Sequence, residues 1–340
     1  MVLTVNVLAM FQVIMQSFPR VLIAALVLLT GCAWTTAQQL PQEPTPQGAA
    51  QKSPPKSAQP PPTQATPPEP APSPPEQSAS QKDKIIPAAA ERAFRQGTQF
   101  ERDGNVENAI SEYNDAIKEY PDYAAAHYNL GRIYLDRRGY TKAIAEFQEA
   151  VRLKPDNADA HNNLGLALKH NGDLSAAVAQ YREAVRLNPK MASAQNNLAN
   201  VLYAKRDYAG AIQHYRASLE IQPKSAQTHM NLGSVLDDAG KTDEAIAEYK
   251  EALKLDPKNA SIHYNLSIVY QKKKDMPSAI AELKAAAKLS PDWPTPHIML
   301  ANLLKNSDPR AALDECIVAD GLTHDAKLHD LCLELQKKSQ

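Results

Sequence analysis

The sequence predicts an all-α fold in which helical hairpins stack along one axis, and three observations carry that prediction. Asn129 recurs at Asn163, Asn197, Asn231 and Asn265, 34 residues apart each time, within the strings HYNLG, HNNLG, QNNLA, HMNLG and HYNLS. At fixed offsets downstream come an alanine (Ala143, Ala177, Ala211, Ala245, Ala279) and a proline (Pro155, Pro189, Pro223, Pro257, Pro291). Between these two stands a large residue, Phe147, Tyr181, Tyr215, Tyr249 or Leu283. A repeat of this length holds two helices that cannot bury their apolar faces alone, so neighbouring units share one continuous core.

Composition divides the chain ahead of the repeats. Residues 1–32 are apolar, residues 33–88 are rich in Pro, Gln, Ala and Ser, and the remainder is helix-forming. Net charge is −1 and neither half carries a basic excess. That argues against a nucleic-acid partner, because phosphate binding needs clustered Lys and Arg. Three cysteines, Cys32, Cys316 and Cys332, are too few for a disulfide-stapled scaffold.

At the N-terminus, residues 21–29 form an uninterrupted apolar run, preceded by Arg20 and followed by Thr30-Gly31-Cys32. These are the parts of a secretory signal, over residues 1–31. The run is shorter than the ~20 residues that span a bilayer. Leu29-Thr30-Gly31-Cys32 resembles a bacterial lipobox, which implies cleavage after Gly31 and a lipid on the Cys32 thiol; the alternative is an ordinary signal peptide with an incidental cysteine. Met15 is the expected initiator, since MQSFPR before the apolar core is a conventional layout. Ala33 stands where lipoproteins held at an inner membrane resemble one another in carrying Asp. In a Gram-negative host that implies an outer-membrane lipoprotein facing the periplasm. Residues 32–88 then form a tether. Prolines from Pro41 to Pro75 exclude helix and sheet, and some 55 residues at about 3.1 Å each reach roughly 170 Å.

Beyond the tether stand six units at 90–123, 124–157, 158–191, 192–225, 226–259 and 260–293, with a degenerate seventh at 294–323 and a capping helix over 324–340. In the third unit helix A runs over 158–170 and helix B over 174–187, with Asn171-Gly172-Asp173 as the turn. Gly104, Gly139, Gly172 and Gly240 mark such turns, and two other units use Arg206-Asp207 and Lys274-Asp275. Asp156-Asn157, Ser225 and Asn259 are good N-caps. Leu328, Leu331 and Leu335 share one face of the last helix, as a cap requires. Cys316 and Cys332 lie on successive helices, and a bridge or two separately buried thiols both remain open.

Leu130-Gly131-x-x-Tyr134, Ala143, Phe147, Ala150 and Pro155 resemble the tetratricopeptide repeat position by position. The resemblance implies a right-handed superhelical solenoid in which helix A lines a concave groove. It places repeat positions 2, 5, 6, 9, 12 and 13 there, and helical spacing puts them on one face. The groove residues are then Asn129, Asn163, Asn197, Asn231 and Asn265, with Tyr128, Arg132, Lys169, Asn200, Tyr203, Asp237 and Tyr264. A similar asparagine ladder occurs in the repeat domain of O-linked N-acetylglucosamine transferase, where it holds extended polypeptide. An amide can pair with a peptide backbone whatever its side chains. The alternative is that these asparagines bridge neighbouring helices.

The lysine of the carboxylate clamp found in co-chaperone members is replaced by Phe94, Tyr128, Asn162, Asn196, Met230, Tyr264 or Ile298, so that clamp is not expected. His127, His161, His229, His263 and His297 also keep the period. They read as packing residues, because helices one unit apart lie roughly 8–10 Å from each other, too far for one metal ion. No nucleophile–base pair, metal-ligand cluster or phosphate loop appears, so no catalysis, cofactor, metal or small-molecule substrate is expected. The functional expectation is a membrane-anchored adaptor that binds extended protein segments for envelope assembly. The alternative is a structural scaffold or pilotin-like assembly factor for an outer-membrane complex.

Overall fold

The computed structural model describes residues 85–339. The leader, the Met15 start, Cys32, Ala33 and residues 33–84 of the tether lie outside the described residues. The described chain is helical from end to end and contains no strand. The hairpins are α1–α2 (Ala88–Arg102, Val106–Glu119), α3–α4 (Ala124–Asp136, Tyr140–Leu153), α5–α6 (Ala158–His170, Leu174–Leu187), α7–α8 (Ala192–Ala204, Tyr208–Ile221), α9–α10 (Ala226–Asp238, Thr242–Leu255), α11–α12 (Ala260–Lys272, Met276–Leu289) and α13–α14 (Pro294–Leu304, Pro309–Thr323). A last helix, α15 (Ala326–Lys338), packs on α14. None of these helices is long and apolar enough to cross a membrane.

Local chemistry sets where the helices begin and end. The side chains of Asn157, Ser225 and Asn259 each accept from a backbone N–H in the first turn of the helix they cap, as do those of Asp173, Asp207 and Asp275 at B helices. Every A-to-B turn from α1 to α12 closes in one way. The residue after the C-cap takes a left-handed conformation, and the next N–H reaches back five residues, for instance Asp173 N–H to the Leu168 carbonyl at 3.0 Å.

The left-handed residues are Gly104, Arg138, Gly172, Arg206, Gly240 and Lys274, again on the repeat period. This corrects the expectation for Gly139, which has φ −80° and serves as the N-cap of α4, while Arg138 beside it takes φ 59°. An L side chain in that region costs roughly 1–2 kcal/mol. Glycine removes the clash but adds freedom to the unfolded chain. Arg138→Gly, Arg206→Gly and Lys274→Gly are each expected to stabilise by about 0.5–1 kcal/mol, read as a rise in urea midpoint at unchanged slope.

Helix crossings explain the small residues. The five periodic alanines from Ala143 to Ala279 are all 0% exposed, and Phe147, Tyr181 and Leu283 are as fully buried. Opposite the large residue stands glycine: a Cβ on Gly97, Gly131, Gly165 or Gly233 would lie 2.8 or 2.9 Å from the ring of Tyr113, Phe147, Tyr181 or Tyr249. One apolar cluster runs unbroken from Ala143 to Val269, and a second from Tyr264 to Leu335. From α3 to α11 each A helix also touches the A helix of the next unit. The A side is therefore the tighter, inner side of the superhelix, and its exposed stripe is the groove.

Candidate functional site

The five ladder asparagines are all half-buried on the inner side. Four of their amides donate into the preceding unit. Asn129 Nδ2 donates to Tyr113 Oη at 3.2 Å, Asn163 to Tyr128 Oη at 3.0 Å, Asn197 to Asn162 Oδ1 at 3.1 Å and Asn231 to Asn200 Oδ1 at 3.3 Å. Asn231 also accepts from Gln227 at 2.8 Å. Asn265 has no such bond. One N–H of four ladder amides thus braces unit to unit; Asn163 Oδ1 also accepts from Asn162 Nδ2 at 3.3 Å, while the side-chain oxygens of Asn129 and Asn197 accept no hydrogen bond among the described residues.

The other residues named from the sequence divide by environment. Arg132 pairs with Glu101 at 3.2 Å, and with Asn129, Thr98 and Arg102 they line an open cleft of about 320 Å³ between the first two units. Tyr128 is half-buried, its ring 5.9 Å from that of Phe147. Tyr203 donates to Asp238 at 2.7 Å, and Asp237 is held by Lys272 at 2.6 Å. Asn200 accepts from Tyr215 Oη at 2.5 Å. Tyr264 is buried beneath Trp293, ring centroids 4.8 Å apart, and presents little surface to a ligand. Lys169 is half-buried and has no ion pair; burial pulls its ammonium pKa below the ordinary lysine range.

Sequence reasoning missed what lies under the ladder. Hydroxyls of B-helix tyrosines reach through the hairpin to the inner side: Tyr113 Oη donates to Glu101 at 2.9 Å, and Tyr249 Oη shares a hydrogen bond with Ser234 at 2.9 Å. Burial first, then the Glu101 bond, pushes the Tyr113 hydroxyl well above the usual tyrosine range. Asp238 and Lys272 were also missed. Their signal was a separation of 35 residues from Tyr203 and Asp237, which sets position 13 of one unit against position 12 of the unit before.

Models of the tetratricopeptide repeat match residues 94–158, 130–192 and 162–226, then 236–274 and 260–292, together more than half of the chain. The chain belongs to the tetratricopeptide-repeat family. Among solved structures, a tetratricopeptide repeat protein from Parabacteroides merdae is 16% identical with a TM-score of 0.54, over 73% of this chain and 99% of its own. PilF of Pseudomonas aeruginosa is 21% identical with a TM-score of 0.52, over 63% and 97%. YrrB, described as a TPR protein with an unusual peptide-binding site, is 22% identical with a TM-score of 0.50, over 57% and 97%. These are likenesses of fold. No curated protein matches the chain. Tetratricopeptide repeats are interaction scaffolds, which gives the chain a protein–protein interaction role.

The periodic histidines of these repeats are braces with a polar logic. His127, His229 and His263 set Nδ1 against Glu146, Glu248 and Glu282 at 2.6 or 2.7 Å, and Nε2 against the carbonyls of Pro121, Pro223 and Pro257. Each ring thereby ties its own B helix to the loop that ends the previous unit. The fourth unit keeps the brace with the partners exchanged: Gln195 donates to the Pro189 carbonyl, and His214 Nδ1 meets Gln195 Oε1 at 2.7 Å.

Both partners of His127 are acceptors, so the protonated ring satisfies both. Burial pulls its pKa down, but the Glu146 and Pro121 bonds outweigh it and leave it raised above 6.5. The proton therefore binds more tightly in the folded state. Its contribution is full below the unfolded value and is lost as pH rises through the folded one. The stability difference between wild type and His127→Gln should be larger at about pH 5.5 than at about pH 8.5, measured by urea unfolding at both.

Proposed function

We propose that the chain is a membrane-anchored periplasmic adaptor whose groove binds extended protein segments for envelope assembly. One observation carries the binding reading. On the inner side Asp237 Oδ1 and Gln271 Nε2, an acceptor and a donor one repeat apart, are buried without a hydrogen-bond partner. Leaving such groups unpaired costs about 1–3 kcal/mol each, so a guest that reached and paired them would gain on binding. An extended backbone offers both a donor and an acceptor, and the free amide of Asn265 and the Asn129 and Asn197 oxygens add to the row. Leu29-Thr30-Gly31-Cys32 supports the anchor, and a disulfide between Cys316 and Cys332 is in keeping with an oxidising compartment outside the cytoplasm.

The scaffold reading has its own support, the four asparagines that brace unit to unit. A photo-crosslinking residue at Asn265, which breaks no brace, separates the two in cells, with exposed Arg182 on α6 as control. The adaptor reading expects a discrete partner captured from position 265 and not from 182. Self-crosslinks, or equal capture at both, would replace it with the scaffold.

A further inference from the structure

Within the groove, unpaired charge and an unanswered buried hydroxyl coincide at the third unit. The B-helix tyrosines elsewhere are satisfied: Tyr113 by Glu101, Tyr215 by Asn200 and Tyr249 by Ser234. Tyr181 is 0% exposed and its hydroxyl has no partner. The reason is local, since Leu166 stands at the repeat position that Asn200 and Ser234 occupy in their own units.

Lys169 shares that place. Two repeat lengths separate Glu101 from Lys169, and the same two separate Tyr113 from Tyr181, so Lys169 stands to Tyr181 as Glu101 stands to Tyr113. In the first unit that position supplies the tyrosine with an acceptor; in the third it carries a cation instead, and the Tyr181 hydroxyl stays without a partner. The same repeat position carries Leu135 in the preceding unit and Tyr203 in the next one, so neither neighbour supplies a carboxylate there. The other two charged groove residues, Arg132 and Asp237, are answered by Glu101 and Lys272. Desolvation acts on Lys169 with no counter-charge to offset it, which favours an anionic guest.

We propose that the third unit is a carboxylate subsite, in which Lys169 and the Tyr181 hydroxyl donate to an Asp or Glu side chain, or to the C-terminal carboxylate, of the bound protein segment. A carboxylate is an acceptor with two oxygens, one for each donor, and charge-assisted bonds of this kind are about twice as strong as neutral ones. The lysine stem is flexible, so its ammonium can shift to admit the guest oxygen beside the hydroxyl. The subsite rests on the groove-binding reading above and adds to it a register: an acidic residue of the guest set at the third unit.

The test displays 12-residue random peptides to the full chain in two arms, one with amidated C-termini and one with free C-termini. Wild type should enrich peptides with Asp or Glu at one register; enrichment in the free arm alone would identify the terminal carboxylate as the guest. Lys169→Met, or Gln for the acid in the enriched peptide, should weaken binding at least tenfold. Tyr181→Phe should weaken it severalfold and yet raise the Tm of the free protein, whereas Tyr215→Phe lowers it. Enrichment without acidic preference, or equal binding by Lys169→Met, would overturn the subsite and leave the groove. A lower Tm for Tyr181→Phe would show that hydroxyl to be already satisfied and overturn the subsite as well. No enrichment in either arm would remove the groove reading, and the subsite with it.

Discussion

Gly165→Val should destabilise the solenoid by about 2–3 kcal/mol, the usual cost of overpacking a filled crossing. Two effects of opposite sign meet at this residue. Glycine within a helix is worse than alanine by about 1 kcal/mol, so adding a side chain helps the helix itself. Against that, a Cβ on Gly165 would sit 2.9 Å from Cδ1 and Cε1 of Tyr181, a ring that is 0% exposed and has nowhere to retreat. For alanine the two nearly cancel, and the molecule carries the precedent: Ala199 stands at this position in the fourth unit, opposite Tyr215. For valine two further methyls meet the ring and the clash wins. Gly321 in α14 is the control, because a Cβ there meets nothing within 4 Å. Gly321→Ala should stabilise by about 1 kcal/mol. Urea unfolding of Gly165→Ala, Gly165→Val and Gly321→Ala gives the comparison. Equal midpoints for wild type and Gly165→Val would mean the crossing is looser than this geometry.

The same residues show how much was legible in the sequence. Hairpin order, turn placement and the buried alanine–aromatic row rest on strictly periodic positions, and a period survives whatever any one residue does. Departures came where function passes to a neighbour. Gly139 drew attention as a glycine, but it was the period through Gly104, Gly172 and Gly240 that pointed to Arg138. The ladder partners were hard to read because they repeat only in part: Tyr128 and Asn162 share one repeat position, each 35 residues before its amide, whereas Tyr113 and Asn200 lie 16 and 31 residues before theirs. The histidine brace left a faint trace, an acceptor 19 residues on that stays Glu or Gln and exchanges places with histidine at Gln195 and His214. Tyr264 looked like groove surface because its cover comes from the last residue of its unit, the N-cap of the next A helix; Trp293 stands where the other units have Tyr123, Asn157, Met191, Ser225 and Asn259.

Removing the Cys316–Cys332 bridge should cost about 3 kcal/mol, and the loss should stay at one end of the molecule. The bridge joins α14 to α15 across a sequence separation of 16, with Cα atoms 5.6 Å apart, inside the normal range. Closing a loop of that size removes unfolded-state entropy worth roughly 3 kcal/mol. In a solenoid each unit answers only to its neighbours, so a terminal helix has one interface to hold it rather than two. For α15 that interface is with α14, through Leu328, Cys332 and Leu335. Three buried residues are a small apolar contribution against the entropy of ordering a helix of 13, so the covalent link stabilises the cap more than its packing does. The Cys316→Ala/Cys332→Ala double variant avoids burying new hydroxyls and isolates the effect of the bridge. Hydrogen exchange read by mass spectrometry should show α14 and α15 losing protection by about two orders of magnitude, as ~3 kcal/mol requires, with α3 to α10 unchanged. Uniform loss along the chain would mean the units unfold as one cooperative body. No loss anywhere would mean that the apolar contacts alone hold the cap, and that the bridge adds nothing to the folded state it closes.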